Sequence, residues 1–238
     1  MDKARIKKLK KFQSAFSYKF RDLNLLNHAF THRSYVNEKK DESIQDNERL
    51  ELLGDAVLDV VITHLLMARF PQYTEGDLSK ARASIVNEQR LSAVAKEMRL
   101  GDYLLLSKGE EQTNGREKDS ILAATFEAIV ASMYLDRGFK KVFRVIERKF
   151  SRILSEEDKD FYKDFKTRLQ EYSQRILKKT PQYIHTGESG PDHDKTFHVD
   201  ISIKGIILGK GSGKSKKGAE QEAAKEALEA LVKAEKMK

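Results

Sequence analysis

Up to about residue 157 the apolar residues recur every three or four positions, the spacing of helices that each bury one face. The pattern predicts helices near 4–15, 22–33, 47–69, 77–97, 102–107, 119–136 and 139–155. Asn47 stands where an N-cap belongs, and Pro71 stops the long helix after Phe70. Thr74, with Asp77 three residues on, has the form of a capping box opening the next helix. Residues 108–118, KGEEQTNGREK, are polar and contain glycine, which predicts an exposed loop. Residues 155–160, SEEDKD, carry charge without apolar periodicity and read as a short linker. Beyond them the pattern changes. Residues 161–179 form a helix with Phe165, Leu169, Tyr172 and Ile176 on one face. Three runs with strand character follow, at 182–189, 195–203 and 206–214. In the second, His198, Asp200 and Ser202 alternate with Phe197, Val199, Ile201 and Ile203, a period of two. An Ala-rich amphipathic helix at 219–233 ends the series. The expected fold is an all-α domain over 1–157 followed by an α+β domain, ordered α-β-β-β-α, over 162–236.

Two of the helices carry unusual acids. In NERLELLGDAVLDVV, residues 47–61, Glu48, Glu51 and Asp55 fall within roughly 60° of one another around the helix axis. Leu50, Leu53, Val57 and Val61 form the opposite face, and Leu52 and Leu58 border the acids. Arg49 interrupts the acidic run but points elsewhere, so no basic residue one turn away relieves the repulsion. A solvated acidic face would account for this helix taken alone. The second helix shifts the balance. In SILAATFEAIVASMYLD, residues 120–136, Glu127 is the one charged residue between Ile121 and Leu135. A lone acid in an apolar helix must be paired, protonated or bound to metal. Glu51 and Asp55 from one helix and Glu127 from the other could converge on a hard divalent cation such as magnesium.

Composition narrows the setting. The 238 residues suffice for one large or two small domains with real cores. There is no cysteine, so disulfides and thiolate zinc sites are excluded, which suits a reducing cytosol. No apolar run has the length of a membrane span, and MDKARIKKLKKF lacks the apolar segment of a secretory signal. The expectation is a cytoplasmic protein without membrane association. The net charge is +8. From Tyr162 onward there are 16 basic and 11 acidic residues, against 29 and 26 before it, so the shorter second part has the stronger basic bias. That bias fits a polyanion-binding module.

At this point the chain resembles bacterial ribonuclease III. NERLELLGDAVLDVV is similar to that family's signature helix, SILAATFEAIVASMYLD to its second metal-binding helix, and the region from Asp164 to Val232 to the double-stranded RNA-binding domain that follows. The resemblance implies a homodimeric, magnesium-dependent endonuclease, manganese being a substitute, that cuts double-stranded RNA to 5′-phosphates with short 3′ overhangs. Ribosomal and messenger RNA processing is the implied role. Glu51, Asp55 and Glu127 would be metal ligands, Asp55 and Glu127 the catalytic pair, and Glu48 and Glu75 accessory acids. Glu75 has a plainer reading as a helix N-terminal acid favoured by the dipole. A metal of this kind can polarise a phosphate oxygen, activate water and stabilise the departing oxygen. Two symmetric copies would serve the two strands, which gives dimerisation a purpose.

One position departs from the family. An Asp is expected three residues before Glu127, and Ala124 stands there. This is a vacated ligand position; Asp59 and Asp119 lie nearby in sequence without filling it. An introduced, inactivating Asp→Ala change is the leading explanation, and a naturally compromised enzyme the other. The competing function is a double-stranded RNA-binding regulator that does not cleave.

In the second domain the resemblance assigns three contact regions. Thr167, Gln170 and Glu171 would face a minor groove from the first helix. Pro191 and His193, in the turn GPDH, would enter a second one. Lys214, Lys216 and Lys217, within the acid-free run GKGSGKSKKGA that also holds Lys210, would meet phosphates at the start of the last helix. Other signals stay bland. GKGSGKS fails the phosphate-loop spacing, because its first glycine would fall on Leu208. His28 and His32 have helical zinc spacing but no third ligand, and 7–11 reads as a solvated lysine face. Lys108 and Arg116 could reach the scissile strand if the fold brings them near the acidic helix.

Overall fold

The computed structural model describes residues 1–41, 43–71, 73–161, 165–191 and 194–235. The chain divides into two compact units, Met1–Leu154 and Ser155–Lys238.

The first unit is helical: α1 (Lys3–Phe16), α2 (Leu23–Ala29), α3 (Arg33–Lys39), α4 (Glu48–Arg69), α5 (Glu75–Ile85), α6 (Glu88–Glu97), α7 (Lys108–Gln112), α8 (Asp119–Arg137) and α9 (Phe139–Phe161), with short 3-10 turns at Leu100–Tyr103 and Gly115–Glu117. At its centre is α8, where Ile121 to Ala123, Thr125, Phe126 and Ala128 to Met133 are all buried. Its hydroxyls are absorbed locally. Thr125 donates to the Ile121 carbonyl at 2.6 Å, and Ser132 to Ala128 and Leu25 at 2.9 and 3.0 Å. Phe12, Phe16, Phe30 and Tyr103 form an aromatic cluster with centroids 5.0 to 5.5 Å apart. No described helix is long and apolar enough to cross a membrane.

Several boundaries differ from the sequence pattern, each for a local reason. The helix expected over 22–33 breaks after Ala29, because Thr31 forms a parallel bridge with Leu105. That bridge also makes 102–107 partly extended rather than helical. The helix expected over 77–97 starts at Glu75 and breaks at Asn87. The Asn87 side chain accepts from Arg90 N at 2.9 Å and donates to the Ala83 and Ser84 carbonyls, capping α6 while closing α5. Thr74 and Asp77 form the expected capping box. Asn47 does not cap α4; its buried amide donates to the Ala29 carbonyl at 3.1 Å, and Asp46 accepts from Glu48 N instead. The segment 108–118 contains α7 and a 3-10 turn. The expected linker at 155–160 continues α9 to Phe161, consistent with the good helix propensity of its Glu and Lys residues.

The second unit has α10 (Phe165–Leu177), β1 (Gln182–Ser189), β2 (Thr196–Ile203), β3 (Ile206–Gly213) and α11 (Lys216–Glu235). The sheet is antiparallel in the order β1-β2-β3. Val199, Ile201 and Ile203 point to the core and meet Leu169 of α10 and Ala219, Ala223, Ala224 and Ala227 of α11. The three glycines of β3 explain the run that superficially resembles a phosphate loop. A Cβ at Gly209, Gly211 or Gly213 would lie 2.4, 2.2 or 2.7 Å from backbone atoms of α11. Their alternation lets a helix faced with alanine lie directly on the strand.

Candidate functional site

A missing side chain sets the first site. Gly54 of α4 is buried, and a Cβ there would stand 1.8 Å from the carbonyl oxygen of Glu127 in α8. The two backbones touch, as only glycine permits. Glu51 and Asp55, three residues before and one after Gly54, are thereby brought beside Glu127.

The electrostatics record this crowding. Burial first, then repulsion from Asp55, Glu51 and Asp59, pushes the Glu127 carboxyl up to about 8. Glu51 is raised by burial, then by Glu48 and Asp55. Asp59 is also raised by burial, with Arg82 opposing from 3.4 Å and Asp55 adding. Every charged neighbour that shifts Glu127 is therefore itself an acid. Among the described residues, no three His, Asp or Glu side chains converge closely enough to encage an ion by themselves. The donor set is nonetheless of the right kind: carboxylate oxygens, half-buried and mutually repelling, which a hard cation would relieve.

The remaining expected residues are placed as follows. Glu48 is held by Arg33, whose Nη1 lies 3.0 and 3.3 Å from its two oxygens. Glu75 is the exposed first residue of α5 and is not among the acids acting on Glu127. Ala124 lies half-buried on α8 one turn before Glu127 and offers only a methyl group. Asp119 is paired with Lys96 at 2.5 Å. Arg116 serves the fold: it donates to the Gly101 and Leu104 carbonyls and pairs with Glu111. His28 bonds the Asp46 carbonyl, and His32 bonds Ser34, so both rings have local structural work.

Gly54, Arg33 and the Asp59–Arg82 pair were not foreseen from the sequence. Gly54 had a usable signal, a glycine in the interior of a strongly patterned helix, where it costs stability unless something packs against it. The two ion pairs join separate helices and left no trace in spacing.

The second unit carries the other expected surface. Thr167, Gln170 and Glu171 are exposed on α10. Pro191 is exposed in the β1–β2 turn, where its carbonyl accepts from Asp194 N at 2.8 Å; His193 lies outside the described residues. Lys214 reaches this turn, with Nζ 2.6 Å from Asp194 Oδ1, so the turn and the lysine run adjoin. Lys216 and Lys217 are exposed in the first turn of α11, which contains no acid, and Ser215 accepts from Gly218 N at 3.1 Å. Lys210 is apart from them, opposite Asp200 on the sheet face away from the helices.

Comparison with known proteins assigns both units. Residues 22–154 match the family described as Ribonuclease-III-like, and 165–231 match the double-stranded RNA binding motif. Ribonuclease 3 of Syntrophobacter fumaroxidans is 48% identical over 229 residues, covering 94% of this chain and 95% of that protein. Ribonuclease 3 of Bacillus licheniformis is 44% identical over 233 residues, covering 98% and 94%. The crystal structure of the nuclease domain of the Campylobacter jejuni enzyme superposes with a TM-score of 0.55 at 42% identity, covering 60% of this chain and 93% of that one. The glycine-set crossing of α4 on α8 and the α-β-β-β-α unit thus fall within two matched families in the expected order, and the chain belongs to the ribonuclease III family.

Proposed function

We propose that this chain is a metal-dependent endonuclease of double-stranded RNA whose cleavage is weakened by Ala124. The observation that carries the reading is the Gly54 contact, which sets Glu51 and Asp55 beside a half-buried Glu127 in a chain that also bears a double-stranded RNA binding motif. Glu51, Asp55 and Glu127 would hold Mg²⁺, or Mn²⁺ in its place, with Glu48 and Glu75 as accessory acids. When bound, the ion supplies activated water and charge stabilisation at the phosphate, giving 5′-phosphate products with short 3′ overhangs. The protein's own part is positional. Gly54 fixes the helix spacing, Arg33 restrains Glu48, and Arg82 restrains Asp59. The second unit, assigned to 162–236 after a nuclease domain at 1–157, would read duplex shape. Thr167, Gln170, Glu171, Pro191 and His193 would address minor grooves, and Lys214, Lys216 and Lys217 phosphates. Processing of ribosomal and messenger RNA in the cytoplasm is the role this activity would serve.

The same reading takes the protein as a homodimer. On α4, Leu52, Val60 and Met67 are 75%, 57% and 58% exposed, and with Ala56 they form an apolar stripe at helical spacing. A related structure concerns a region involved in dimer formation of the Campylobacter jejuni nuclease domain. Val60→Asp should convert the protein to monomers in light scattering. Its secondary structure should be unchanged, since an exposed substitution alters stability by only about 0.5 kcal/mol. A dimer that persists would place the interface elsewhere.

Ala124 favours a second reading, a duplex-binding regulator that does not cut. The deciding experiment incubates this protein and its Ala124→Asp variant with a long RNA duplex and magnesium, scoring cleavage and binding together. The expected result is equal binding and cleavage about a hundredfold or more faster in the variant. The variant should also gain more thermal stability from magnesium. If neither protein cuts while both bind, the regulator reading replaces the enzyme. If both cut equally, an acid at 124 is not a needed ligand.

A further inference from the structure

The first unit carries a second site of opposite sign. Where α8 ends, a cavity of about 320 Å³ is lined by Lys19, Arg137, Lys141, Arg144 and Arg148 alongside Tyr18, and by no carboxylate. Arg137 follows Glu127 by ten residues of α8, or about 15 Å along the axis, so the cavity is distinct from the acidic cluster.

A row of cations on one helix is usually a solvated face. Here the charges come from three stretches of chain, the α1–α2 loop, the end of α8 and the start of α9, and meet around a concavity. The one carboxylate nearby is already engaged. Asp136, whose side chain is 1% exposed, accepts from the Tyr18 hydroxyl at 3.0 Å and from Arg21 N and Asp22 N at 2.9 and 3.0 Å. Its remaining ion pair, at 3.4 Å, is with Arg137. Among the described residues, Lys19, Lys141, Arg144 and Arg148 have no ion pair at all. Lys141, Arg144 and Arg148 follow one another at i, i+3 and i+7, a spacing at which like charges repel. The first turn of α9 holds Lys140 and Lys141 and no acid, at the helix end where the dipole favours anions. Stability alone selects against each of these features, and an anion in the cavity relieves all of them.

Charge density identifies the class of anion. A duplex is a convex cylinder that presents one charge per about 3.4 Å of axis on each strand, which places few phosphates inside so small a volume. A terminal polyphosphate gathers several charges in the same space, and guanidinium forks match phosphate oxygens in pairs. We propose that this cavity binds a compact polyphosphate, the di- or triphosphate terminus of a nucleotide or of an RNA 5′ end.

The test is calorimetric titration of the full chain with inorganic tripolyphosphate, without magnesium. The Lys141→Ala/Arg144→Ala double variant and, as a control on the other lysine cluster, the Lys216→Ala/Lys217→Ala variant are titrated in parallel. One site per chain is expected, weakened about tenfold or more in the cavity variant and unchanged in the control. If the cavity variant unfolds, Arg144→Gln alone, checked by circular dichroism, serves in its place with the same expected direction. A nucleoside triphosphate, and short duplexes ending in 5′-triphosphate or 5′-hydroxyl, then separate the two sources. Preference for the free nucleotide identifies one source, and preference for the triphosphate duplex over the hydroxyl duplex the other. Equal tripolyphosphate affinity in the cavity variant and the unaltered chain would overturn the proposal. So would an equal loss of affinity for the 5′-hydroxyl duplex, which would make the cavity part of a general RNA track.

Discussion

The α4–α8 crossing and the β3–α11 face are built by the same device and end in opposite charge. In each, glycine removes the side chains between two backbones: Gly54 alone in the first, and Gly209, Gly211 and Gly213 at every second residue in the second. In the first, close approach drives Glu51 and Asp55 against Glu127, so that packing holds acids together which would otherwise separate. In the second, it seats an alanine-faced helix whose first turn carries Lys216 and Lys217 at the positive end of the dipole. Both regions use packing energy to oppose electrostatics. The lesson is that an unfavourable concentration of like charge, fixed by backbone contact, marks where a ligand of opposite sign belongs.

The comparison breaks most severely at Gly54. Alanine in a helix interior ordinarily gains up to about 1 kcal/mol over glycine. At Gly54 its methyl would stand 1.8 Å from a backbone oxygen in a helix enclosed on most sides, and neither partner can turn away. Overpacking of this kind costs about 3 kcal/mol or more, so Gly54→Ala should lower the melting temperature despite its better propensity. It should also abolish any magnesium-induced stabilisation, because the acids move apart with the helices. A melting temperature equal to or above that of the unaltered protein would show that the contact is not what positions the site.

Gly211→Ala is the matched change in the second unit. Its Cβ would meet Ala219 O and Ala223 N, each at 2.2 Å. The expected cost is smaller, about 2 kcal/mol, because β3 is an edge strand and α11 can shift outward. Duplex affinity should fall while magnesium-induced stabilisation of the first unit persists. Loss of both would mean that the two sites do not fail independently.

How much was legible in advance follows the same division. The strands of the second unit were readable to within a residue because a period of two, with glycine punctuating one face, has few alternative explanations. Glu127 was readable as the sole charge in an apolar helix. The breaks at Thr31 and Asn87 were not, since apolar spacing runs on through both and the decisive events are a bridge to Leu105 and a side-chain cap. Arg33 and Arg82 were hidden for a related reason. Each meets its acid from a different helix, and spacing within one helix carries no information about contacts between two. Gly54 was visible as a letter, yet its meaning depends on what α8 presents to it.

The mildest test leaves both backbones untouched. Lys216 and Lys217 are exposed, and neither has a carboxylate partner among the described ion pairs; Lys216 Nζ lies over the Phe197 ring at 6.0 Å. Replacing both with alanine should leave stability within about 0.5 kcal/mol, because no packing is lost and a repulsive pair at the N-terminus of α11 is removed. Duplex binding should nonetheless weaken, and by a similar factor for every sequence, since phosphate contacts carry no base information. The slope of log affinity against log salt should flatten by about one for each phosphate contact removed. Titration at several salt concentrations separates this from a general loss of the fold, which would reduce affinity without the stoichiometric change in slope. An unchanged slope would mean that these lysines, despite their place at the helix end, do not meet phosphate. The positive region would then resemble the acidic one less than the shared glycine packing suggests.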